Sequence, residues 1–260
     1  GKMLDPSRYF VILVDALGDG VSSSPSNSKA QPRLAFPEFT IRDMVNSQYR
    51  LLTEVLKLKR IHAVIGISMG GMQAFQWLVT YPNFMDVVIP IVGSPQLTST
   101  DLLLWTSELH AIEDDPAWRH GNYRGHPTLR AVVDIHQFAV TTPIYRAKDP
   151  GRANFQSYLQ KAETSVAFDW NDWYRQLQAM LRLDIAKPWN GSLEQAARHA
   201  KARLLAIVAE QDHMVNPLPA MQFVTFAKAQ QVVLIGECGH LAPGCESEKT
   251  NDAVQRFLMQ

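Results

Sequence analysis

The sequence predicts an α/β fold, a doubly wound and mostly parallel sheet with an inserted helical cap. Short apolar runs alternate with stretches of helical period along most of the chain, and such alternation is typical of parallel sheets. A glycine-rich turn at residues 66–71 joins one apolar run directly to a helix. Between residues 94 and 192 the strand runs stop, and five of the six tryptophans lie there, which favours a helical insertion above a cleft. The predicted strands are residues 9–14, 61–65, 87–92, 203–209 and 231–235.

These elements divide the chain into a core and a cap. We expect residues 1–93 and 193–260 to form the core, and residues 94–192 to form the cap over the site. The first core helix begins at a capping box that runs from Thr40 to Asp43. The predicted core helices are residues 41–56, 72–79, 218–228 and 247–258.

The turn at residues 66–71 has the form of a nucleophile elbow, a strand followed by G-x-S-x-G and a helix. Such a sharp turn strains the serine backbone and exposes the Ser68 hydroxyl at the top of the sheet. We expect Gly66 and Gly70 to leave room for the turn, and the backbone N–H of Met69 to face a developing oxyanion. An ordinary glycine-rich turn is the alternative. A phosphate-binding loop is excluded because no Lys-Ser or Lys-Thr pair follows the glycines.

Composition excludes several other classes of function. The formal net charge is zero and 19% of residues are charged, so we expect no nucleic-acid partner and no anionic membrane surface. No apolar run approaches the roughly 18 residues that span a bilayer. The histidines show no metal-ligand spacing, and we expect no metal. With only Cys238 and Cys245 the sequence predicts no disulfide framework; Cys238 is interpreted as a small apolar loop residue and the location as cytoplasmic.

Two further residues complete a predicted triad. In this fold class the order along the chain is serine, acid, histidine. Asp212 follows the strand at residues 203–209 and His240 follows the strand at residues 231–235, so both should lie with Ser68 at the carboxyl edge of the sheet. A turn role for Asp212, with Glu210 as the acid, and a structural role for His240 stay open.

The chain resembles the homoserine O-acetyltransferase-like branch of the α/β-hydrolase superfamily. The likeness runs through residues 8–12, 36–45, 66–74, 168–171 and the final Gly-His pair, and the strings Thr-Ile-Arg-Asp-Met-Val and Ser-Met-Gly-Gly-Met-Gln are its most specific parts. The resemblance implies acyl-enzyme chemistry by Ser68, Asp212 and His240. It implies no cofactor, with acyl-CoA as co-substrate if the protein is a transferase.

Two departures from the family pattern bear on the substrate. Transferases of the family have an aspartate directly after the catalytic histidine, where this chain has Leu241, and an arginine in the cap near the position of Phe138. An amino-acid substrate would lose its charged partners, so we expect hydrolysis of a small carboxylic ester. O-acyl transfer from acyl-CoA to an alcohol is the alternative, and a non-catalytic binding protein is another. We expect Leu241, Trp105 and Trp173 to contact the substrate, although ordinary packing between cap helices stays open for each tryptophan.

The family fold also has strands and an oxyanion loop upstream of residues 9–14. We expect the N-terminal strands to be missing here, and the second oxyanion donor to come from outside the chain, from a separate N-terminal fragment. An N-terminal part that belongs to the same protein but is missing from this sequence is the alternative. A homodimer stays open.

Overall fold

Four parallel strands form the sheet in the computed structural model, which describes residues 3–260. Their order across the sheet is their order along the chain. Each strand is reached from its neighbour through helical chain, as in parallel α/β sheets. The strands are β1 Ile61–Ile67, β2 Met85–Ile91, β3 Arg203–Ala209 and β4 Gln230–Leu234.

Helices surround the sheet and account for most of the remaining chain. The core helices are α1 Ile41–Arg50, α2 Met69–Thr80, α8 Leu193–His199, α9 Leu218–Ala227, α10 Ala242–Cys245 and α11 Ser247–Leu258. Five helices lie between β2 and β3, and they are α3 Ser99–Glu113, α4 Arg130–Ala139, α5 Pro143–Lys148, α6 Phe155–Thr164 and α7 Trp170–Leu181. Within residues 3–260 no helix combines the length and the apolar character that crossing a bilayer requires.

Apolar clusters cover both faces of the sheet, and successive side chains of each strand point to opposite faces. Val88 belongs to the apolar cluster that includes Met72 of α2, whereas its neighbour Val87 belongs to the cluster that includes Phe257 of α11. This alternation explains why the strands read as continuous apolar runs in the sequence.

The predicted strand at residues 9–14 is wrong. The segment makes no ladder with any strand of the described chain, and Phe10 and Leu13 are 88% and 90% exposed. β1 is consequently an edge strand and only half-buried, rather than the buried strand that its apolar sequence predicts. A groove of about 310 Å³ separates residues 9–14 from β1. Apolar composition indicates that a segment favours burial, but a strand also requires a hydrogen-bonding neighbour.

The helical segment between β2 and β3 occupies the region that the sequence assigns to the cap. There α3 packs against both α4 and α7. The exact division at residues 94–192 stays a prediction. In the core, the capping box of α1 is confirmed, since Thr40 and Asp43 exchange side-chain to backbone hydrogen bonds.

Candidate active site

Ser68 lies in the sharp turn between β1 and α2, with φ 57° and ψ −120°. A positive φ is unfavourable for a residue with a side chain, so the elbow is strained. A Cβ on Gly66 would lie 1.9 Å from the carbonyl oxygen of Gly70, which only glycine avoids. A Cβ on Gly70 would meet nothing within 4 Å. The expectation that Gly70 must lack a side chain is therefore wrong. The Gly70 position matters because its backbone carbonyl leaves no space for a side chain on Gly66.

A second close approach in the elbow was not found from the sequence. A Cβ on Gly71 would lie 2.9 Å from the Cα of Gly93, and a Cβ on Gly93 would lie 2.5 Å from the carbonyl carbon of Gly71. The start of α2 thus rests directly on the turn that follows β2. A glycine within a few residues of the end of each of two neighbouring strands was the available signal.

Met69 is the first residue of α2. Its N–H has no carbonyl partner within the helix, because the first turn of any α-helix leaves its N–H groups free. The helix dipole adds partial positive charge at this end. Next to Ser68 this N–H is suited to an oxyanion, and that role stays a prediction.

The structure brings Ser68, Asp212 and His240 together. The Nε2 atom of His240 lies 2.7 Å from Ser68 Oγ, a residue 172 positions away, and its Nδ1 atom lies 2.7 Å from Asp212 Oδ2. The His240 and Asp212 side chains are 8% and 1% exposed. The three residues follow β1, β3 and β4, so the carboxyl ends of parallel strands create the juxtaposition.

Asp212 is held in place by its own loop. Its Oδ1 atom accepts hydrogen bonds from the backbone N–H groups of Met214 and Val215, both at 2.9 Å. The Oδ2 atom is therefore left to face His240. Glu210, the alternative acid, is exposed, and the buried Asp212 takes the position beside the imidazole.

The loop of His240 is fixed on both sides. The His240 backbone N–H donates to the carbonyl of Val140 at 3.1 Å. Cys238 and Cys245 form a disulfide across the short 3₁₀ turn Gly239–Leu241. The interpretation of Cys238 as an unpaired apolar residue is therefore wrong. The cysteines are seven positions apart, and the turn between them brings their Cα atoms to 6.5 Å, within the disulfide range. The cytoplasmic location stays a prediction.

A cleft of about 900 Å³ opens over Ser68 and His240. The side chains predicted to contact the substrate all line it: Trp105 is buried, Trp173 is half-buried and Leu241 is 44% exposed. Most of the wall is apolar, and its further members include Ile67, Val140, Phe168, Met180 and Met214. The cleft thus fits an uncharged substrate with hydrocarbon groups.

Two polar wall residues, His136 and Gln176, were missed by the sequence reasoning. His136 of α4 lines the cleft, although in the sequence it is one of several histidines without special spacing. Its partner Glu108 lies 28 positions away, so no local pattern announces the pair. Phe138 is 86% exposed and is not among the described lining residues. Within residues 3–260, no group of three or more His, Cys, Asp or Glu side chains is arranged to hold a metal ion.

The sequence and the fold are similar to those of known proteins. The family model described as the alpha/beta hydrolase fold matches residues 1–243. A homoserine O-acetyltransferase of Symbiobacterium thermophilum is 31% identical over 295 residues, which cover 100% of this chain and 76% of that protein. An ethyl acetate hydrolase of Pseudomonas veronii is 37% identical over 139 residues, or 52% of this chain and 39% of that protein. The crystal structure of esterase E22 superposes with a TM-score of 0.86 at 26% identity, covering 99% of this chain and 80% of that one.

Proposed function

Because this chain belongs to the homoserine O-acetyltransferase-like branch of the α/β-hydrolase family, we propose that it hydrolyses small carboxylic esters through an acyl intermediate on Ser68. The named relatives are hydrolases and acyltransferases, and the chain is an enzyme of that kind. The observation that carries the finer proposal is the continuous hydrogen-bonded series from Ser68 Oγ through His240 to Asp212.

In the first step, Ser68 Oγ attacks the carbonyl carbon of the ester. His240 Nε2 removes the hydroxyl proton as the new C–O bond forms, and Asp212 stabilises the resulting imidazolium. The carbonyl oxygen becomes an oxyanion, to which the N–H of Met69 donates. The strained elbow keeps the hydroxyl accessible at the start of α2.

The intermediate then breaks its bond to the alcohol. His240 returns its proton to the departing alkoxide oxygen, so that the alcohol leaves neutral and an acyl ester remains on Ser68. A water molecule takes the place of the alcohol, and His240 accepts a proton from it as it attacks. Collapse of the second tetrahedral intermediate releases the carboxylic acid and restores Ser68 with its proton.

The choice of water over an amino-acid acceptor depends on the cleft wall. Leu241 places an apolar side chain directly after His240. A substrate ammonium group there would lose its hydration without gaining a carboxylate partner, which is unfavourable by several kcal/mol. O-acyl transfer from acyl-CoA to an alcohol is the second candidate. It is favoured by the similarity to a homoserine O-acetyltransferase, which extends over the whole of this chain.

The test compares wild type with Ser68→Ala on p-nitrophenyl acetate, with Ser107→Ala on the cap as the matched control. We expect Ser68→Ala to lower kcat by at least about 10³-fold and Ser107→Ala to change it by less than about twofold. A fluorophosphonate probe should label wild type and Ser107→Ala but not Ser68→Ala. Equal labelling of all three would refute catalysis by Ser68 and favour a binding protein. Release of CoA from acetyl-CoA that depends on added homoserine would instead establish the transferase.

We also propose that a separate strand adds to β1 and supplies the second oxyanion donor. Its support is the outer edge of β1, which pairs with no strand within residues 3–260, and the groove between that edge and residues 9–14. A row of free backbone groups next to an apolar groove is a template for strand addition. The fluorophosphonate labelling rate of the isolated chain should lie roughly 10²–10³-fold below that of the protein in an extract of its source cells. Equal rates would contradict the added donor.

A further inference from the structure

His136 gives the cap side of the cleft a group that can donate or accept a hydrogen bond. It and His240 are the two histidines among the described lining residues. The His136 side chain keeps 29% of its surface exposed. Its ring packs edge-on against Trp173, with ring centroids 5.1 Å apart. The imidazole therefore stands in the wall in a fixed orientation.

That orientation is imposed by Glu108 of α3, whose side chain is fully buried. Its Oε1 atom lies 3.1 Å from His136 Nδ1, and its Oε2 atom accepts a hydrogen bond from Trp173 Nε1 at 3.1 Å. Burial of a carboxylate is unfavourable unless donors satisfy its oxygens. Both oxygens are used here to hold two rings of the cleft wall, so Glu108 is a positioning residue.

This contact fixes the tautomer of His136. A carboxylate only accepts hydrogen bonds, so the proton of the neutral imidazole resides on Nδ1. The Nε2 atom is left with a free lone pair, and it has no hydrogen-bond partner within residues 3–260. A lone pair in an apolar wall is suited to a donor that the substrate itself brings.

We propose that His136 Nε2 determines specificity by accepting a hydrogen bond from a hydroxyl group on the substrate, away from the scissile ester. The substrate class is therefore a short hydroxy-substituted ester, and the inference rests on the ester hydrolysis proposed above. Trp105 and Phe168 would pack against its hydrocarbon part. An ammonium donor fits less well, because both oxygens of Glu108 are already used.

The experiment measures kcat/KM for p-nitrophenyl butanoate, 3-hydroxybutanoate and 3-methoxybutanoate. Wild type should prefer the hydroxy ester over the other two by about tenfold or more, since a site built to bind a hydroxyl discriminates against analogues that lack it. His136→Phe should abolish that preference through a higher KM for the hydroxy ester, so that its kcat/KM falls to about that of the butanoate in the same variant. His110→Phe, an exposed histidine on α3, is the matched control and should behave as wild type.

Glu108→Gln separates recognition from a merely structural role. The amide oxygen is needed by the N–H of Trp173, so the amide NH₂ faces His136 and moves the imidazole proton to Nε2. That atom becomes a donor, and the methoxy ester should gain at least about fivefold relative to the hydroxy ester. The proposal would be overturned if the kcat/KM ratio of the hydroxy ester to the methoxy ester stayed within about twofold of the wild-type ratio in both His136→Phe and Glu108→Gln.

Failure of this inference is distinguishable from failure of ester hydrolysis. If wild type hydrolyses none of the three esters, hydrolysis is refuted, and binding to Ser68→Ala then decides the role of His136. Calorimetry with ethyl 3-hydroxybutanoate and ethyl butanoate should give a lower Kd for the hydroxy ester, and adding His136→Phe should remove the difference. Equal Kd values for the two esters in Ser68→Ala would overturn the subsite.

Discussion

Replacing Asp212 with asparagine tests the proposed role of Asp212 in orienting His240. The backbone N–H groups of Met214 and Val215 both donate to Oδ1, so the amide oxygen of Asn must take that position. The amide NH₂ group then faces His240 Nδ1, which has to become an acceptor. The proton of the neutral imidazole moves to Nε2, and that atom no longer accepts the proton of Ser68. The substitution thus keeps the shape of the site and reverses the tautomer.

We expect Asp212→Asn to lower kcat by roughly 10³–10⁴-fold, the typical result of a wrong tautomer. This corresponds to roughly 4–5 kcal/mol of transition-state stabilisation. The assay is steady-state hydrolysis of p-nitrophenyl acetate, with the rate of fluorophosphonate labelling as a second measure. The midpoint temperature of unfolding should change little, because no hydrogen bond of the side chain is lost. The bonds from Met214 and Val215 are kept, and the bond with His240 Nδ1 reverses its direction.

Glu210→Gln, two residues away and exposed, is the matched control and should retain at least half of the wild-type kcat. If Asp212→Asn keeps more than about a tenth of wild-type kcat, the tautomer argument is refuted. If Glu210→Gln is the variant that loses activity, the acid has been misassigned.

Three further results are expected. Gly66→Ala should lower the free energy of unfolding in urea by roughly 3 kcal/mol or more, because its Cβ meets the Gly70 carbonyl. Gly70→Ala, whose Cβ meets nothing within 4 Å, should leave that free energy unchanged or raise it by up to about 1 kcal/mol. Equal losses in the two variants would contradict the crowding at Gly66. Reduction of Cys238–Cys245, a short closed loop, should lower that free energy by about 2–3 kcal/mol, and a change below about 0.5 kcal/mol would contradict it. Burial raises the pKa of the Asp172 carboxyl, so its contribution to stability is largest below pH 3.8 and is lost as pH rises through the higher folded pKa. Asp172→Asn should flatten this part of the plot of unfolding free energy against pH. An unchanged slope would count against the raised pKa.

The triad was predictable because its signals are local. Ser68, Asp212 and His240 each follow an apolar run, and the carboxyl ends of parallel strands meet at one edge whatever the distance along the chain. The order of residue types then leaves few choices. The fold class followed from the same alternation of strands and helices.

Pairing in space was not predictable in the same way. Residues 9–14 have the composition of a buried strand, yet whether a segment joins a sheet depends on a neighbour that composition does not reveal. Cys238 and Cys245 pair because a 3₁₀ turn brings them together. The contact between Glu108 and His136 depends on how two cap helices pack, and neither position has a distinctive local pattern.

The cap contributes to the alignment of the triad as well as covering the cleft. Besides the bond from His240 N–H to Val140, the Thr142 hydroxyl donates to the carbonyl of Glu237 in the loop that leads to the histidine. On the acid side, the buried Asp101 of α3 accepts a hydrogen bond from the backbone N–H of Asn216 at 2.7 Å. The loops of His240 and Asp212 are thus both tied to residues between β2 and β3. Because a cap that swung open as a lid would break these bonds, we expect substrate to enter through the mouth of the cleft while Ser68, His240 and Asp212 stay aligned.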